Sequence, residues 1–93
     1  MTTGDWRTIF PSTGASRHMR QYVRQMLRLV HDGKPEAVIE HLHRGEWDRY
    51  DFNGVPTDVV ASTREGFRRA LSALRSDDKD GAKTELDEVY RLW

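Results

Sequence analysis

Arg17, Arg20, Arg24 and Arg28 recur at spacings of three and four along one segment, and no acidic residue falls between Asp5 and Asp32. A guanidinium group is planar, permanently charged and able to grip a carboxylate or phosphate through two parallel hydrogen bonds, so the chemistry of such a row is anion recognition. At about 100° per residue the four side chains fall within an arc of roughly 80°, nearly opposite a face made by Met19, Val23, Met26, Leu27 and Val30. An adjacent helix packed on that apolar face would struggle to reach the row, which the acids of the chain would then leave unneutralised. A second constellation, Trp47, Arg49, Tyr50 and Phe52, gathers residue types enriched at binding hot spots. It reads either as a lid closing the end of a core or as aromatic anchors for a partner. Trp6, Ile9 and Phe10 pose the same choice as an arm that docks on its own chain, reaches a partner or swaps between two copies.

Other chemistries fit less well. His41 and His43, near His31, Glu40, Glu46 and Asp48, suggest a zinc or iron site, but residues two apart on a helix diverge, so no metal is expected. No paired carboxylates and no nucleophile–base spacing mark a catalytic centre, and none is assigned. Ser12-Thr13-Gly14 has too few glycines and no following Lys for a phosphate loop. The expectation is a non-enzymatic protein without a cofactor.

The elements that must hold these residues are helical. Residues 1–15 form an arm and a turn. Ser16 is the expected N-cap of a first helix that ends near His31, where Asp32-Gly33 supplies the stop. Pro35 opens a short second helix toward Gly45. Residues 46–56 form a structured connection. A third helix starts at Thr57 or at Ser62, which would form a capping box with Glu65, and runs to Arg75. After a polar turn over residues 76–81, Ala82, Leu86, Val89, Tyr90 and Trp93 mark a fourth helix. The fold class is all-α, with residues 16–45 and 57–93 as two antiparallel helical hairpins. The hairpins align in outline with an offset of about 44 before the turn and 48 after it, without the period or consensus of a known helical repeat.

Ninety-three residues allow one domain with a single core. With 37% hydrophobic and 32% charged residues the chain should fold and stay soluble. No Cys is present, which fits a reducing compartment; no signal peptide or membrane-spanning run is visible, so the expected location is cytoplasmic. Lys and Arg total 15 and so do Asp and Glu, yet the signs are segregated: net charges of +4, −4, +3 and −3 follow one another over residues 1–31, 32–58, 59–76 and 77–93. Antiparallel neighbours of opposite sign would attract at their flanks. Arg64, Arg68 and Arg75 of the third helix lie where a neighbour can absorb them, unlike the first-helix row. The functional expectation is a protein-binding adaptor, inhibitor or regulator that meets an acidic patch through Arg17, Arg20, Arg24 and Arg28, with Trp47, Arg49, Tyr50 and Phe52 as anchors. The alternative is a nucleic-acid-associated regulator, which zero net charge and the lack of stacking aromatics other than Tyr22 on that helix disfavour.

Overall fold

Steps of four, three and four residues between buried side chains generate the architecture. The computed structural model describes residues 15–45, 47, 52 and 55–93. They form α1 (Ala15–His31), α2 (Pro35–Arg44), α3 (Thr57–Arg75) and α4 (Lys79–Leu92), with no strand among the described residues. α1 buries Met19, Val23, Met26 and Val30; α3 buries Thr63, Phe67, Ala70 and Leu74; α4 buries Ala82, Leu86 and Val89 and is followed by buried Trp93. Each stripe is the seam of a helix packed in a bundle. α2 adds Val38 and Leu42. The helices close a ring in which α1 and α3 each touch both α2 and α4, and α3 with α4 is the most extensive contact. The radius of gyration is 13.2 Å, close to the ~12 Å of a compact chain this long.

α1 and α3 end in the same way. Gly33, at φ 75°, donates its N–H to Val30 O at 3.2 Å, and Lys34 N–H reaches Leu29 O at 2.9 Å. At the end of α3, Asp77 adopts φ 60° and donates to Leu74 O at 3.1 Å, while Asp78 N–H reaches Ala73 O at 2.8 Å. Both pairs are the six-to-one and five-to-two bonds of a Schellman stop, which satisfy carbonyls that the helix leaves open.

Two helix starts differ from the sequence expectation, and a third takes the first of its two expected positions, each for a local reason. α1 begins at Ala15, so Ser16 is already helical; its hydroxyl donates to the carbonyl of Trp93 instead of capping its own helix. α3 begins at Thr57 because Pro56, at φ −56° and ψ 140°, turns the chain into it; Ser62 lies in its interior and Glu65 is taken by Arg68 and Arg69, so no capping box forms. α4 begins at Lys79. The Asp78 carboxylate accepts the Gly81 N–H at 2.9 Å, which makes Gly81 a residue of the first helical turn and not part of the preceding loop.

With α4 starting there, the offset between the two halves is 44 throughout. Met19, Val23, Met26, Val30, Gly33, Val38 and Leu42 stand against Thr63, Phe67, Ala70, Leu74, Asp77, Ala82 and Leu86, every pair differing by 44 in number. The halves diverge at one telling place. A Cβ added to Gly66 would overlap Val89 Cγ2, so the missing side chain lets α4 approach α3 closely. Tyr22 occupies the corresponding position on α1, and its ring stands edge-on to Phe67 at 5.9 Å and to His41 at 6.3 Å. Accordingly α1 and α2 touch less than α3 and α4 do.

Candidate functional site

Arg17, Arg20, Arg24 and Arg28 are all exposed. At about 100° per residue from the centre of the buried stripe of α1, Arg20 stands about 90° away and Arg24 about 130°, while Arg17 and Arg28 approach the opposite pole at about 150° and 170°. The row is therefore tilted toward one flank, and the neighbouring helix on that flank reaches it. Arg24 Nη2 donates to the Tyr90 hydroxyl at 2.8 Å. The Arg24 and Arg20 guanidinium carbons lie 5.7 Å and 5.8 Å from the centre of the Tyr90 ring. Both cations thus rest against one half-buried aromatic of α4, a contact worth about 0.5–1 kcal/mol at an exposed site.

What α4 supplies is a ring, not a counter-charge. Among the described residues no carboxylate pairs with any of the four arginines: the ion pairs are Glu40 with Arg44, Glu65 with Arg68 and Arg69, Asp87 with Arg91, and His31 with Asp32. All of them join near neighbours in sequence, so the alternating helix charges are not expressed as ion pairs between helices among these residues. Arg68 and Arg69 are satisfied within α3, and hydrogen bonding from Arg68 holds the Glu65 carboxyl below its ordinary range. Arg64 does meet a neighbour, with its guanidinium 5.6 Å from the centre of the Trp47 ring.

Two surface depressions adjoin these charges. One of about 330 Å³ lies between α3 and α4, lined by Glu65, Arg69, Glu85 and Glu88 beside Gly66 and Val89. Its Glu65 and Arg69 are paired with each other at 3.2 Å. The other, about 270 Å³, is bounded by Gln21, Arg24, Gln25 and Arg28 on the outer side of α1. The glutamine amides there add hydrogen-bond donors to the cations, and neither stood out in the sequence because a polar outer face is ordinary for a helix.

Trp47 and Phe52 of the aromatic segment pack onto the core. Trp47 is 5% exposed and packs against Phe67 at 5.3 Å and Phe52 at 5.9 Å; Phe52 continues to Trp93 at 5.6 Å. Trp93 is fully buried, and its indole N–H donates at 2.8 Å to Thr63 Oγ1, which itself donates to Val59 O at 2.7 Å. The Trp47 ring is therefore packed into the protein's own interior. Arg49 and Tyr50, like Trp6, Ile9 and Phe10, lie outside the described residues. His41 packs beside Tyr22 while His43 is exposed, so the two imidazoles diverge. Among the described residues no cluster of three or more His, Asp or Glu could share a metal ion, and no helix is long and apolar enough to cross a membrane.

The site residue that the sequence concealed is Tyr90, which reads as one more member of the α4 apolar stripe. Its signal was its position at the stripe's edge, where a tyrosine hydroxyl needs a polar partner. Comparison with known proteins returns no match to the chain among protein families, curated proteins or solved structures.

Proposed function

We propose that this protein is a small cytoplasmic adaptor, inhibitor or regulator, built from two antiparallel helical hairpins, that binds another protein through the Arg17–Arg20–Arg24–Arg28 face of α1. The observation that carries the reading is the pairing of Arg20 and Arg24 with Tyr90: two exposed guanidinium groups are aimed by an aromatic neighbour, yet have no carboxylate partner among the described residues. A merely solvated face has no need of such aiming. The absence of an aromatic on α1 other than the inward-packed Tyr22 favours carboxylates over stacked bases as the target. Charge alone gives little affinity. Four exposed ion pairs at up to about 1 kcal/mol each amount to a millimolar complex, so the partner must also fit the surface.

Charge reversal at Arg20→Glu with Arg24→Glu tests the reading. Affinity capture from the native host's lysate should lose its protein partner, while the helical circular-dichroism signal stays as it was. Capture unaffected by the double substitution overturns the proposal. Capture that disappears on nuclease treatment and falls steeply with salt assigns the face to nucleic acid instead.

A further inference from the structure

We infer that the outer face of α1 receives an α-helix of the partner, and that this helix inserts Glu or Asp side chains four residues apart into two consecutive holes on α1. The inference rests on the anion-binding reading of the arginine row. The depression bounded by Gln21, Arg24, Gln25 and Arg28 has corners at positions i, i+3, i+4 and i+7. That is the hole into which a facing helix places one knob side chain. Arg17, Arg20, Gln21 and Arg24 repeat the same pattern one turn earlier. The first hole is centred about 180° from the buried stripe of α1, so it faces away from the other three described helices.

Its size and chemistry narrow the occupant. At about 270 Å³ and open to solvent it falls short of the ~300–1,000 Å³ of small-molecule sites, but it admits a single side chain. Its rim is made of guanidinium and amide groups, so an apolar knob would strand their donors whereas a carboxylate satisfies several at once. Successive holes are displaced by four residues, about 6 Å along the axis, and acidic residues four apart on a partner helix share that rise. Arg20 and Arg24, steadied by Tyr90, flank the path on the α4 side.

The test uses ¹⁵N-labelled protein and an alanine-based helical peptide with Glu at every fourth position. The controls are a scrambled peptide of the same composition, a proline-broken version, and a single-stranded oligonucleotide of equal charge. The helical peptide should shift the side-chain amide resonances of Gln21 and Gln25 and bind about ten-fold or more tightly than either peptide control, the difference expected from losing one charge-assisted hydrogen bond. Gln25→Trp, which fills the hole from an exposed position, should remove that advantage without changing the circular-dichroism spectrum. Equal binding of the scrambled or broken peptide, tighter binding of the oligonucleotide, or unmoved glutamine resonances overturns the inference. If the Arg20→Glu/Arg24→Glu double variant loses its native partner while Gln25→Trp keeps it, the row binds anions but not by helix docking. If both variants keep the partner, the parent reading fails with it.

Discussion

Gly66 is the residue on which the tightest helix contact depends. Because a methyl group there would meet Val89 Cγ2, Gly66→Ala must push α4 outward or distort Val89, and overpacking of this kind costs about 1–3 kcal/mol. The gain in helix propensity from Gly to Ala, about 1 kcal/mol, offsets part of it, so the expected net result is a lowered urea midpoint with an unchanged slope. Glu65 allows a second check at this scale. Its carboxyl is held below its ordinary value chiefly by hydrogen bonding from Arg68, opposed next by desolvation, with the charges of Arg68 and Arg69 adding to the lowering. A folded-state value below the unfolded one stabilises the protein above the ordinary glutamate range, and that contribution disappears as pH falls through the lowered value. Carboxyl-carbon NMR titration should show Glu65 titrating below the ordinary glutamate value, and Arg68→Ala should move it back up. A Glu65 midpoint that ignores Arg68→Ala would contradict the pairing.

At the scale of elements, the turn between α3 and α4 invites two opposite substitutions. Asp77 holds the left-handed conformation that Gly33 holds in the equivalent turn, so Asp77→Gly should raise stability by up to about 1 kcal/mol. Asp78→Ala removes the carboxylate that caps Gly81 and should cost about 0.5–2 kcal/mol. Thermal midpoints moving in the same direction for both would refute this account of the turn. The same residues explain what could be read from the sequence. The apolar periods gave the four helices and their buried faces, because burial leaves a local trace every three or four residues. The starts were less legible, since Ser16 and Gly81 serve other purposes and Ser62 lies inside α3 without capping it. A serine can serve a distant carbonyl, as Ser16 serves Trp93, and a glycine near a turn can sit inside the next helix. The arginine row was visible as a pattern. Its contact with Tyr90 was not, because that depends on which helix lies beside α1, and no local period records a neighbour 66 residues away. Trp47 carried two readings that only its environment could separate, and its burial against Phe67 separates them.

For the whole molecule, the balance of 15 basic and 15 acidic residues sets the behaviour in solution. With a pI of about 6.9 and signs segregated by segment, long-range repulsion between copies is weakest near neutral pH, while opposite faces can attract. Sedimentation velocity at pH 7 should therefore show the greatest self-association at low salt. It should decline at about 0.3 M ionic strength, where the screening length falls well below 10 Å. Association that strengthens with salt would point to an apolar contact instead.

The placement of Tyr90 has one more consequence. A free arginine side chain carries about 2 kcal/mol of rotamer freedom, which a ligand must ordinarily suppress when it binds. Arg20 and Arg24 have surrendered part of that freedom before any ligand arrives, because the bundle holds them against an α4 ring. On the proposed reading, folding has met some of the entropic cost of recognition in advance, and loosening the end of α4 should weaken the proposed partner's grip on α1 without altering a single arginine.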